Sequence, residues 1–194
     1  MTLPAAATKT VIFFGDSLTA GYGLDPDEAF PSLIQKKIDA AGIPAHVVNA
    51  GLSGETTAGG LRRLNWILRQ KIDVFIIELG ANDGLRGIAP EVTRTNLQTM
   101  IDRVRMKYPH AVIVLAGMQL PTNLGPEYTQ KFAAIFPELA KSNHLTLIPF
   151  LLAGVGGVAS LNQGDGMHPT AQGDQIVADN VWKALKPLLI GTHE

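Results

Sequence analysis

The sequence predicts an α/β domain with helices on both faces of a parallel sheet of about five strands. Three observations predict it. Short apolar runs rich in Val, Ile and Phe recur along the chain, amphipathic helical patterns separate them, and Gly, Asn or Pro closes most runs. Strands without a polar face need cover on both sides, and the intervening helices supply it.

Lys9 to Phe14 is the first strand, and Phe30 to Ala41 follows as a helix with Leu33, Ile34 and Ile38 at helical spacing. Gly42 and Pro44 stop that helix before a second strand, Ala45 to Ala50, which ends at Gly51. Thr56 is placed to cap a helix whose Leu61, Leu64, Ile67 and Leu68 form one stripe. Val74 to Leu79 is the third strand and ends at Gly80. Pro90 suits a first helical turn, and Val92, Leu97, Ile101 and Val104 carry that helix toward Tyr108. Ala111 to Ala116 is the fourth strand, Tyr128 to Lys141 a helix, and Leu145 to Pro149 the fifth strand. A Gly-rich loop from Leu151 to Gly166 leads to Pro169 and a last helix marked by Val177, Val181, Leu185 and Leu188. Residues 9–190 are expected to form a single domain, with 1–8 and 191–194 as tails.

Composition narrows the function. With 46% hydrophobic and 17% charged residues, the 194-residue chain can bury one sizeable core. Lys and Arg number 16 against 17 Asp and Glu, so no field exists to hold phosphate backbones or anionic lipid, and nucleic acid is not expected as a partner. The absence of cysteine removes disulfides, thiolate nucleophiles and Cys-based metal sites. No run reaches the roughly 18 apolar residues of a membrane helix.

In a doubly wound sheet, ligands bind beyond the carboxyl ends of the strands. Four unusual polar stretches fall at those ends: Gly15-Asp16-Ser17, Asn49-Ala50-Gly51, Gly80-Ala81-Asn82-Asp83 and Asp165-Gly166-Met167-His168. Gly, Asp and Ser also favour turns for backbone reasons, so the first stretch by itself does not decide between a turn and a nucleophile. Position decides it, because acyl transfer at a serine needs a base, a group to orient that base, and donors for the tetrahedral oxyanion. His168, pushed toward extended geometry by Pro169, is the base candidate, and Asp165 is near enough to hold its other ring nitrogen. The backbone N–H groups of Ser17 and Gly51 and the side-chain amide of Asn82 are the expected oxyanion donors.

These blocks, in this order, closely resemble the signature of the SGNH hydrolases, also called the GDSL esterase/lipase superfamily. The likeness spans essentially the whole domain. It implies Ser17 as nucleophile and oxyanion donor, Gly51 and Asn82 as further donors, His168 as base and Asp165 as its orienter. The fuller stretches from Gly15 to Gly23 and from Glu78 to Gly84 resemble the bacterial branch of multifunctional thioesterases, lysophospholipases and arylesterases. The resemblance implies hydrolysis of small acyl esters and thioesters without metal or cofactor, on a flavodoxin-like three-layer α/β/α sandwich. It also implies a periplasmic or secreted protein if a signal peptide was removed ahead of the small-residue stretch Pro4 to Thr8, and a cytoplasmic one otherwise.

Around this site, Asp16 is expected to fix the turn, Glu78 to be a buried hydrogen-bonded residue, Asp83 to close an Asx turn and Arg86 to clamp loops. His46, His110, His144 and His193 read as surface residues without metal-ligand spacing. Met118, Leu120, Pro121 and Val155, from two unusually apolar loops, are the expected acyl pocket, and the glycines of the second loop suggest a mobile lid.

Two other classes are weighed. A non-catalytic flavodoxin-like module lacks its marks: no acidic cluster and late lysine for a phosphoacceptor, and no third glycine after Gly21-x-Gly23 for a dinucleotide. An acetylated carbohydrate is the alternative substrate, with 6% aromatics offering no obvious sugar platform. The G-x-S-x-G elbow of α/β-hydrolases is absent.

Overall fold

The computed structural model describes residues 7–191. Residues 1–6 and 192–194 lie outside the described residues, and with them fall His193 and most of both expected tails. Among the described residues five strands form one sheet in the order β2-β1-β3-β4-β5: β1 Lys9–Gly15, β2 Ala45–Gly51, β3 Val74–Glu78, β4 Val112–Ala116 and β5 Thr146–Ile148. Every pairing is parallel, with Gly15 opposite Gly51 on one side and Glu78 on the other. The chain runs outward from β1 to β2 and then returns past β1 to β3. Strand order therefore reverses at β1, and the crevice between the ends of β1 and β3 is where such a sheet binds ligands.

The helices are α1 Ser17–Ala20, α2 Phe30–Ala40, α3 Thr57–Ile67, α4 Ala81–Leu85, α5 Pro90–Lys107, α6 Pro126–Ser142 and α7 Ala171–Ile190. Packing of α2 on α7, and of α5 on both α3 and α6, gives the two covering layers. Phe13 and Phe14 show why β1 is apolar throughout. Phe13 meets Phe30 of α2 edge to face at 5.4 Å, while Phe14 packs on Phe75 at 5.5 Å and carries the Arg63 guanidinium of α3 over its ring at 4.3 Å. Both phenylalanines are fully buried, and truncating either to Ala is worth about 3–5 kcal/mol.

Caps fall where the sequence places them: Thr56 accepts the Gly59 N–H at 3.2 Å, and Pro90 occupies the first turn of α5. Two one-turn helices, α1 and α4, were not legible as helices, since a single turn is too short to show a period. Val92 departs from the expected stripe. It is exposed, because Thr93 takes the inward position of that turn.

Candidate active site

The nucleophile segment is built from below. Asp16 caps α1, its Oδ1 accepting the Leu18 N–H at 3.0 Å, which leaves Ser17 as the first helical residue. The N–H of a first helical residue has no partner inside the helix, and that of Ser17 has none elsewhere among the described residues. Glu78, at the end of the neighbouring strand, accepts from the Asp16 N–H at 3.1 Å, the Thr19 N–H at 3.2 Å and the Thr19 hydroxyl at 2.7 Å. A side chain on Gly15 would run into Thr19 and Glu78, so the turn admits only glycine there.

Asp16 and Glu78 are two carboxyls buried side by side. Burial pushes Asp16 up to about 6, against hydrogen bonds from the Leu18 N–H and Asn82 and the field of His168. Burial first, and the charge of Asp16 second, push Glu78 well above the usual carboxylate range. Buried side by side, the two carboxyls disfavour being charged together. Glu78 Oε1 has no hydrogen-bond partner among the described residues.

The other half arrives on the loop before α7. His168 Nε2 lies 2.9 Å from Ser17 Oγ, and its Nδ1 lies 2.6 Å from Asp165 Oδ2. The remaining oxygen of Asp165 accepts the N–H groups of Met167 and His168, at 2.9 and 3.0 Å. Those bonds, the His168 N–H foremost, hold Asp165 down to about 2, so it stays ionised and fixes Nδ1 as the protonated ring nitrogen. Nε2 is left to accept the Ser17 proton.

Of the expected oxyanion donors, the structure brings two to the crevice. Asn82, near the start of α4, points one amide N–H at Asp16 Oδ2, 3.0 Å away, and has a second to offer. Gly51 is not brought there. Its N–H is taken by Asn49 Oδ1 at 2.9 Å, its Cβ direction is blocked by the Ala20 backbone, and it does not line the cavity. The strand has not yet cleared α1 at Gly51. Three residues on, Gly54 lines the cavity with Ser17 and Asn82, and its N–H makes no hydrogen bond among the described residues. Gly54 has φ +77°, a left-handed turn that glycine adopts freely. Arg86 clamps that turn as expected, its Nη2 donating to the Gly54 carbonyl at 2.9 Å. From the other side, Glu55 is paired with Arg63, which also reaches the Gly15 carbonyl at 3.2 Å. The overlooked signal was Ser53-Gly54, two small residues just ahead of the Thr56 cap.

A cavity of about 630 Å³ opens beside Ser17, within the range that encloses a small-molecule ligand. Met118, Leu120 and Pro121 line it as expected. Val155 does not: it is fully buried, packed beneath α7 near Gly173, while Phe150, Leu152, Gly156 and Gly157 of the same loop face the cavity. That loop is pinned. Asn162 donates to the carbonyls of Val155 and Val158 at 2.7 and 2.8 Å, and Asn180 to those of Leu151 and Ala153 at 3.1 and 2.8 Å. Leu18, Tyr22 and Leu85 also line the cavity and were not singled out from sequence.

Asp83 does not close an Asx turn. It is fully buried and accepts from the Thr57 N–H at 2.8 Å, the Thr57 hydroxyl and the Thr93 hydroxyl, tying α3, α4 and α5 together. His46, His110 and His144 are exposed, as expected.

A serine, histidine and aspartate in hydrogen-bonded sequence at the switch point of a parallel sheet define a hydrolase of the nucleophilic-serine class. The chain belongs to the GDSL-like lipase/acylhydrolase family, whose pattern matches residues 13–176. It is 43% identical over 185 residues to the esterase TesA of Pseudomonas aeruginosa, covering 95% of this chain and 91% of that one. To the thioesterase 1/protease 1/lysophospholipase L1 of Escherichia coli it is 38% identical over 190 residues, covering 97% and 89%. The crystal structure of a TesA superposes with a TM-score of 0.89 at 42% identity, covering 93% of this chain and all of that one.

Proposed function

We propose that the protein hydrolyses esters and thioesters of acyl chains through an acyl-enzyme on Ser17. The observation that carries this reading is the continuous relay from Ser17 Oγ through His168 to Asp165, at 2.9 and 2.6 Å, beside an apolar cavity. His168 Nε2 takes the hydroxyl proton as Ser17 Oγ bonds to the acyl carbon, and Asp165 stabilises the imidazolium that forms. The N–H groups of Ser17 and Gly54 and the free amide N–H of Asn82 receive the oxyanion. On collapse, the bond to the alcohol or thiol breaks and His168 returns its proton to the leaving oxygen or sulfur. Water then attacks the acyl-enzyme with His168 again as base, releasing the carboxylic acid and the serine hydroxyl.

The cavity favours an acyl chain over a sugar. Leu18, Leu85, Met118, Leu120, Phe150 and Leu152 line it, and such a surface gains roughly 0.8 kcal/mol for each methylene it buries. The names of the relatives, esterase and thioesterase, agree with both leaving groups. The test is turnover of a p-nitrophenyl ester series beside an acyl-CoA series, by wild type and Ser17→Ala. Wild type is expected to turn over both, with kcat/KM rising along the shorter chains, and the variant to lose activity on both while keeping its fold. A variant with wild-type turnover would end the reading.

A further inference from the structure

Tyr22 stands out because it is 52% exposed, yet its backbone is tied to two segments and its ring rests on His168. Its ring lies against the His168 ring, with centroids 4.5 Å apart and planes 39° apart. Its N–H donates to the Ser17 carbonyl at 3.0 Å, and its own carbonyl accepts from Gln163 Nε2 at 2.7 Å. The same Gln163 amide reaches the Pro169 carbonyl at 2.9 Å, and its backbone N–H reaches the His168 carbonyl at 2.7 Å. One glutamine therefore fastens the tyrosine turn to the histidine loop. Gly21 and Gly23 flank Tyr22 with φ of +74° and +75°, and a Cβ on either would strike Ala29 or Gln163. The backbone is shaped to deliver this one ring.

An exposed aromatic fixed over an imidazole does two physical things. Its face blocks rotation of the histidine away from Ser17, and its negative quadrupole attracts the ring when that ring is cationic. The proposed reaction charges His168 only after Ser17 gives up its proton, so the attraction grows toward the transition state, which is where it raises kcat. We infer that Tyr22 is a positioning residue that holds His168 against Ser17 and stabilises its imidazolium through the aromatic face. This rests on His168 being the base. The charged groups facing His168 are Asp165 on its own loop and Asp16 at the end of β1, and both stay in place in the variants below.

The test compares Tyr22→Phe, Tyr22→Leu and Tyr22→Met by kcat and KM, measured separately on one p-nitrophenyl ester. The phenyl ring keeps the face, so Tyr22→Phe is expected within about twofold of wild type. Leu and Met keep apolar bulk without a quadrupole, and kcat is expected to fall by about 3- to 30-fold. The loss is expected in kcat with KM little changed, since the ring acts on the charged histidine and not on substrate binding. A loss carried by KM alone for Leu and Met overturns the inference, as does Tyr22→Phe behaving like Tyr22→Leu or Tyr22→Leu retaining wild-type kcat. His168→Ala, run alongside, separates this from failure of the underlying reading, since activity surviving there removes His168 as base.

Discussion

Asp16 Oδ2 accepts a hydrogen bond from the side-chain amide of Asn82 at 3.0 Å, so the carboxylate next to the nucleophile orients the amide proposed to receive the oxyanion. An ionised carboxylate only accepts, so it forces the Asn82 NH₂ group, not its oxygen, toward the crevice. Glu78 beneath it accepts the Asp16 N–H at 3.1 Å and holds the turn that carries this carboxylate. Asp16→Asn offers Asn82 a group able to donate as well, and the amide is free to flip. We expect kcat to fall by at least about tenfold with KM little changed, approaching the 10²- to 10³-fold loss of a missing oxyanion donor. Combined with Asn82→Ala, the two losses should be strongly non-additive; independent, multiplying losses would mean that Asp16 acts elsewhere.

Gly51 and Gly54 separate by experiment. A side chain at Gly51 meets the Ala20 backbone, so Gly51→Ala should lower the melting temperature. A Cβ at Gly54 would make only an ordinary contact with Arg86 Nη2 at 3.8 Å, but φ is left-handed, so Gly54→Ala should shift its N–H and lower kcat by about tenfold or more while costing only about 1 kcal/mol of stability. Arg86→Ala, which frees the Gly54 carbonyl, should move kcat in the same direction and by less. Unimpaired turnover by folded Gly54→Ala would remove Gly54 from the oxyanion set.

A carboxyl outside the site should shape the pH dependence of stability. Asp174 of α7 accepts the Phe30 N–H at 2.9 Å, capping α2 from a neighbouring helix, and burial pushes it up to about 7. An unfolded aspartate titrates near 3.9, so between about pH 4 and 7 the folded chain keeps a proton that the unfolded chain has lost. This contribution is full below about pH 4 and is lost as pH rises through about 7. Asp174→Asn retains an acceptor and has no proton to lose. Thermal unfolding from about pH 5 to 8 should show a flatter trend than wild type and a relative gain at the alkaline end on the order of 1 kcal/mol. An unchanged slope would contradict the assignment.

The sheet, its five strands and the long helices were legible because each rests on a local period and a local stop signal. Ser17 and Asn82 were legible as candidates because the ends of β1 and β3 mark where a doubly wound fold keeps its site, and Asp165 and His168 because an Asp-x-x-His pair stands just ahead of the last helix. Gly51 misled for a physical reason. A strand end looks like the crevice edge in sequence, whereas β2 still runs against α1 at Gly51 and the chain needs three more residues to emerge at Gly54. Val155 misled similarly, since an apolar loop residue looks the same in sequence whether it faces a cavity or a helix. Asp83 and Tyr22 act through partners 26 and 146 positions away, Thr57 and His168, and no local pattern encodes such pairings.

The central claim is a covalent intermediate on Ser17, and trapping it is the most direct measurement. The protein is treated with an alkyl p-nitrophenyl phosphonate, the released nitrophenol is counted, and the adduct is located by peptide mass mapping. One adduct per chain is expected, on Ser17, with activity lost in proportion to labelling and no adduct in Ser17→Ala. Stoichiometric inactivation with the adduct on any other residue, or full labelling of Ser17 with activity intact, would contradict the account.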